Sequence, residues 1–259
     1  MATEDKEMDD DSPRKKRSRK KGAERKPRVK KVRLPYQFEQ ITKHCRLAQW
    51  LVEQRHFDQA RAWLQRALDI AVTPIPKVVN QEFLEAQILT NFIEVDRIEK
   101  KYADAVPRIR RAVGIYERLN LPDPMPTLHL LAQLVEAHGQ QRQFDDAELA
   151  ARRLLQMVEK HFGREDYRYA TGLGSLATVY FQRGKGETAL KLCTQELQLL
   201  ERLHGPDHPE VANTLLNMAH LLRWMRRTDE ADACERRAQE IESKQPKLVP
   251  KPPNTGGPA

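Results

Sequence analysis

Several residue groups in this 259-residue chain have types and spacings that chemistry uses. His204, Asp207, His208 and Glu210 fall within HGPDHPE, and imidazoles beside carboxylates are what a divalent cation would take. The surrounding residues favour a different reading. Gly205 stands where one helix would end and Pro209 where the next would begin, with Asp207 and Glu210 favouring the positive end of that second helix. Structural zinc sites want Cys and His at fixed spacing, so no metal is expected. Cys45, Cys193 and Cys234 are odd in number, far apart and free of any CxxC pattern. They read as reduced thiols used for helix packing in a reducing compartment. Gly172-Leu173-Gly174 lacks the preceding strand, third glycine and downstream acid of a dinucleotide loop. It is expected to let neighbouring helices approach, although a mid-helix glycine costs about 1 kcal/mol against alanine. No GxSxG elbow, HExxH or phosphate-cradling glycine loop occurs. The reading is a non-enzyme with no cofactor.

Electrostatics is the strongest chemistry that remains. The chain has 45 Lys and Arg against 37 Asp and Glu, a formal charge of +8. Residues 1–11 carry six acids and one lysine, whereas residues 12–35 carry thirteen cations and one Glu. That leaves a net of +1 on residues 36–259, so the basic character belongs to one short arm. Arg14, Lys15, Lys16 and Arg17, followed by Arg19, Lys20 and Lys21, have the composition of a nuclear import signal in a eukaryote. They would equally neutralise phosphates, giving weak, sequence-blind nucleic-acid binding. With few apolar residues, 1–35 is expected to be a disordered arm, and 244–259, with five prolines, a disordered tail. No run of about 18 apolar residues occurs, which excludes an integral membrane protein of the helical kind. No secretory signal is read at the N-terminus, and cytoplasmic placement, or nuclear in a eukaryote, is expected.

The elements that hold these residues are helical. Between 36 and 243, apolar residues recur at i, i+3, i+4 and i+7. Breaks at Arg55-His56, Pro74–Pro76, 121–126, Gly163, Gly184–Gly186 and Gly205–Pro209 divide the span into ten helices, roughly 37–54, 57–73, 79–99, 102–119, 126–140, 144–162, 166–183, 186–203, 208–225 and 228–243. Pairs joined by two or three residues must be antiparallel hairpins. The second helix of each pair opens FDQA, YADA, FDDA, GETA or TDEA, ending in Ala60, Ala105, Ala147, Ala189 and Ala231. After a first interval of 45 residues, these alanines recur every 42. A fixed period of this length is the signature of a solenoid.

Thirteen positions before each alanine stands a large apolar residue: Leu47, Phe92, Leu134, Leu176 and Met218. Ala48, Ala177 and Ala219 follow three of them, and Ala67, Ala112 and Ala238 stand seven after the motif alanine. At that last position the third and fourth copies carry Leu154 and Glu196. In these residues residues 36–243 resemble the tetratricopeptide repeat. The 42-residue period and the linker HGPDHPEVANTLLNMA resemble its kinesin-light-chain subclass. The second copy departs most, with Ile93 and Asp96 where a small and an aromatic residue are usual. The fifth puts Glu235 at an apolar site, which suits a terminal cap facing water.

The resemblance implies an all-α, right-handed superhelical solenoid of about five helix-turn-helix repeats. It also implies a concave groove lined by each first helix. Carried over residue by residue, that groove includes Asn91, Gln133, Ser175, Thr178, Phe181, Asn213, Asn217, His220 and Trp224. Amides and hydroxyls suit a peptide backbone because they donate and accept without imposing charge. Phe181 and Trp224 would serve as apolar anchors. A carboxylate clamp for chaperone termini is disfavoured, since the matching positions are Cys45, Gln49, Asn91, His129 and Gln133 and only the Asn agrees. The implied function is a protein-interaction adaptor or scaffold for a protein or peptide partner. The alternative is a nucleic-acid-associated factor using the basic arm while the repeats recruit a partner.

Overall fold

The computed structural model describes residues 36–73 and 80–244. The expected arm over 1–35, with its seven clustered cations, the tail beyond Lys244 and the Pro74–Pro76 break lie outside the described residues. Among the described residues there are ten helices and no strand: α1 (Tyr36–Glu53), α2 (Phe57–Val72), α3 (Gln81–Ile98), α4 (Tyr102–Leu119), α5 (Met125–Gln140), α6 (Phe144–Phe162), α7 (Tyr167–Gln182), α8 (Gly186–His204), α9 (Pro209–Trp224) and α10 (Thr228–Lys244). The periodicity reading placed every one of them within two residues at each end.

Each first helix stops in the same way. Arg55, Lys100, Arg142, Gly184 and Arg226 all have positive φ, between 57° and 82°. The amide following each one donates back into the helix, as His56 N does to Leu51 O and Gln143 N to His138 O. The left-handed residue itself closes the shorter bond, as Arg55 N does to Val52 O. This is the Schellman arrangement, which turns the chain back into an antiparallel partner within three residues. Only Gly184 adopts the left-handed conformation without steric cost.

Helix starts use local acceptors. Asn80 accepts from Phe83 N, Asp166 from Arg168 N and the His208 ring from Glu210 N. The HGPDHPE loop is thus built as helix punctuation, with one correction to the expected roles. His208 caps α9, while Asp207 pairs with Lys244 Nζ at 2.9 Å. His204 and His208 stack at 4.4 Å and Glu210 lies 3.4 Å from His204 Nε2. No group of three or more metal-ligating side chains forms among the described residues.

Each helix packs against the next, and first helices also touch across repeats, α1 on α3 and α5 on α7. The motif alanines Ala60, Ala105, Ala147, Ala189 and Ala231 are all buried where paired helices approach. The apolar core follows the array from hairpin to hairpin, so the fold is an all-α solenoid.

Glycines 172 and 174 do not serve a backbone approach. A Cβ on Gly172 would lie 2.7 Å from Leu155 Cδ2, and one on Gly174 would lie 2.6 Å from the Glu196 carboxylate. The missing side chains of α7 make room for two side chains arriving from α6 and α8. Asp96, the other misfit in the repeat pattern, is fully buried and held by the guanidiniums of Arg61 and Arg108 from α2 and α4. Burial pushes its carboxyl up, and the two arginines pull it back.

Candidate peptide-binding groove

The predicted groove residues lie along the first helices, with clefts between α1 and α3, α5 and α7, and α7 and α9. Their neighbours differ from one end to the other. Near α1, Asn91 is already engaged: Gln49 Nε2 donates to its Oδ1 at 2.9 Å, and its Nδ2 donates to Gln87 O. Glu94 and Arg97 pair with each other across one helix turn. Gln133 lies 3.0 Å from His129 Nε2, and its own Oε1 is buried with no partner among the described residues. Asn91 thus bridges the first two repeats, whereas Gln133 is bound within α5.

In the fourth repeat the hydroxyls are also in use. Ser175 Oγ donates to Thr171 O and Thr178 Oγ1 to Gly174 O, both at 3.0 Å. Each keeps its oxygen as an acceptor only. A peptide N–H can be received there, but no hydrogen is offered without breaking the helix bond.

The fifth repeat is different. Asn213, Asn217 and His220 are exposed on one face of α9, the two asparagines four residues apart. No hydrogen bond holds them among the described residues. Asn217 and His220 border a cleft of about 350 Å³ with Thr178, Phe181, Ala189, Cys193 and Leu221. Phe181 and Trp224 meet edge to face at 5.6 Å and 88°, joining the fourth and fifth repeats. Gly186, the first residue of α8, permits this seat, since a Cβ there would lie 2.9 Å from the Trp224 ring. Trp224 nevertheless keeps 54% of its surface exposed.

One turn along α8 from Cys193 of this cleft lies Glu196, which the groove reading did not use. Burial, then the nearby charge of Glu210, pushes its carboxyl up to about 7, and a hydrogen bond with Thr214 opposes the rise. The same burial, with the Glu196 charge, pushes the Cys193 thiol up to about 12, and burial alone takes Cys45 to about 11. Such thiols are poor nucleophiles, as packing residues should be. The sequence signal for Glu196 was its place where other repeats carry alanine or leucine, and Gly174 opposite is what makes that place tolerable.

The tetratricopeptide-repeat family matches this chain over residues 127–167 and again over 168–242. No curated protein sequence matches it. Among solved structures, a putative kinesin light chain with nearly identical TPR-like repeats from Podosopora anserina shares 16% identity. It has a TM-score of 0.65, covering 79% of this chain and 95% of that one. BtubC (BKLC) from P. vanneervenii shares 17% at a TM-score of 0.56, covering 83% and 76%. A Rap protein complexed with competence and sporulation factor shares 13% at a TM-score of 0.58, covering 79% of this chain and 54% of its own length. Residues 127–242 are tetratricopeptide repeats, and the chain shares its fold with kinesin-light-chain-like repeat arrays. It is a repeat scaffold of the protein-interaction kind. No helix among the described residues is long and apolar enough to cross a membrane.

Proposed function

We propose that this chain is a non-catalytic adaptor that captures a peptide segment of a partner protein in the groove between α7 and α9. The observation that carries the reading is the pair of uncommitted amides on one face of α9, Asn213 and Asn217, the second of which borders the cleft of about 350 Å³ beside Phe181, whose ring meets Trp224. Two such amides read the N–H and C=O of a backbone, and the aromatic pair supplies an anchor for one apolar side chain. A solved neighbour, a Rap conjugation gene regulator in complex with the Phr* peptide, is consistent with this use of the fold. The upstream half of the groove, where Asn91 and Gln133 are tied to neighbours, contributes shape rather than hydrogen bonds. The test is selection from a displayed peptide library. The wild-type chain should enrich a consensus with an apolar anchor, and Asn213→Ala with Asn217→Ala should lose it while keeping the wild-type circular dichroism. Equal enrichment by the double variant would move the site off this face.

A second reading rests on the thirteen cations of residues 12–35. If nucleic acid is the partner, affinity for any duplex should fall steeply as salt rises from about 50 to 200 mM and vanish on removal of residues 1–35. No binding at the lower salt would dispose of it.

A further inference from the structure

The repeat register exposes an interface that is unfinished. Counting ten residues back from each motif alanine gives Trp50, Val95, Ala137, Val179 and Leu221. The last four are 1%, 1%, 1% and 3% exposed, because at this register each first helix is covered within the array. Trp50 is 53% exposed. Seventeen back stand Lys43, Ile88, Leu130, Gly172 and Thr214, of which only Lys43 is exposed. Among the described residues no hairpin precedes α1, so its outer face lacks the cover that every later first helix receives.

That face has its own chemistry. The His44 ring lies 5.0 Å from the Trp63 ring, and the Arg66 guanidinium sits 4.5 Å over the same indole. Lys43 and Arg66 are the charges that bear on His44, whose Nδ1 is buried without a partner. Leu47 and Trp50 add an apolar strip one turn apart. The slot is therefore shaped for a helix, since a helix fills it in the later repeats, and it combines apolar contact with two cations.

We propose that the outer face of the first hairpin is a docking surface for an acidic amphipathic helix of a partner protein. The helix's apolar stripe covers Leu47 and Trp50, and its carboxylates meet Lys43 and Arg66. A second copy is a poorer occupant. Face to face, it would set the same two cations against each other. At the far end of the array, Glu235 takes the register position of the buried Leu64, Ile109, Ala151 and Cys193, and Arg223 holds it together with Asp232. That end offers no apolar stripe to Trp50. The proposal is independent of the groove between α7 and α9.

The experiment uses the full chain and three fluorescein-labelled peptides, read by anisotropy. One is a helix of Leu, Ala and Glu with leucines at i, i+3, i+4 and i+7. The second replaces every Glu by Lys, and the third shuffles the first so that charge is kept and the stripe is lost. The shuffled peptide reports whatever the basic run 12–35 captures by charge alone. The striped acidic peptide should bind most tightly, and Trp50→Ala or Lys43→Glu should each weaken it about tenfold or more. Both side chains are exposed, so unchanged melting is expected and is checked by circular dichroism. Asn213→Ala with Asn217→Ala should leave this binding as it was. Equal binding of the striped and shuffled peptides, or full binding by Trp50→Ala, would overturn the proposal, as would loss in the asparagine double variant. Sedimentation showing self-association that Trp50→Ala abolishes would also overturn it, and would assign the face to a second copy.

Discussion

Replacing Glu196 by Gln should change how the stability of this solenoid depends on pH. Its carboxyl is mostly buried between α7, α8 and α9, facing Gly174, Thr214 and the charge of Glu210, and is pushed from the ordinary 4.5 up to about 7. An acid whose folded-state value is raised holds its proton in the folded protein at pH values where the unfolded chain has released it. Its ionisation therefore disfavours folding. The penalty is absent below about 4.5, grows as pH rises through the window and is complete above about 7. The displacement corresponds to about 3 kcal/mol. Glu196→Gln keeps the shape and the acceptor for Thr214 but cannot ionise. The variant should match wild type near pH 4.5 and exceed it at pH 8 by about 1–3 kcal/mol, which for a domain of this size is several degrees in Tm. His44 works in the opposite sense, since burial and the charges of Arg66 and Lys43 hold its ring below the usual value and its protonation disfavours folding as pH falls. The quantity to follow is thus the difference between variant and wild type, by urea unfolding at several pH values from 4.5 to 8. A difference that stays flat across that range would refute the buried-carboxylate account.

Three further outcomes follow from neighbouring residues. Gly174→Ala gains about 1 kcal/mol of helix propensity but drives its Cβ to 2.6 Å from the Glu196 carboxylate, so it should stabilise only when combined with Glu196→Ala. A double-mutant cycle in urea showing simple additivity would contradict this packing. Asp96→Ala leaves Arg61 and Arg108 around a buried gap and should cost about 3 kcal/mol, whereas Asp96→Leu should recover part of it, because Leu51 and Leu222 fill the same register position. Equal losses in both variants would show that the whole cost comes from the missing carboxylate, and full recovery by Leu that the carboxylate contributes nothing specific. Arg142→Gly, at φ 60° in the α5–α6 turn, should raise stability by about 0.5–1 kcal/mol in thermal melts, and a decrease would mean that the arginine side chain holds the turn.

The helices and their register were readable because both are written locally. The breaks at Arg55-His56 and Gly184 fall where each first helix reverses, and the motif alanines mark where paired helices touch. What escaped the sequence depends on residues far apart in the chain. Glu196 breaks the repeat pattern at a position that packs inward, and only Gly174, on another helix, makes room for it. Asp96 looked like a weak register, yet its partners Arg61 and Arg108 come from two different helices. The groove positions of Asn91 and Asn217 are equivalent by spacing and identical in type. Both border clefts, but the first is tied to Gln49 and the second has no hydrogen bond among the described residues, a difference set by the neighbouring repeat rather than by the residue.

The most direct test of peptide capture in the last two repeats is a hydrogen-exchange footprint of the full chain with and without a peptide selected from a displayed library. Protection confined to α7 and α9, and lost in the Asn213→Ala, Asn217→Ala variant, is the predicted result. Protection elsewhere on the array, or none with the peptide demonstrably bound, would contradict the account.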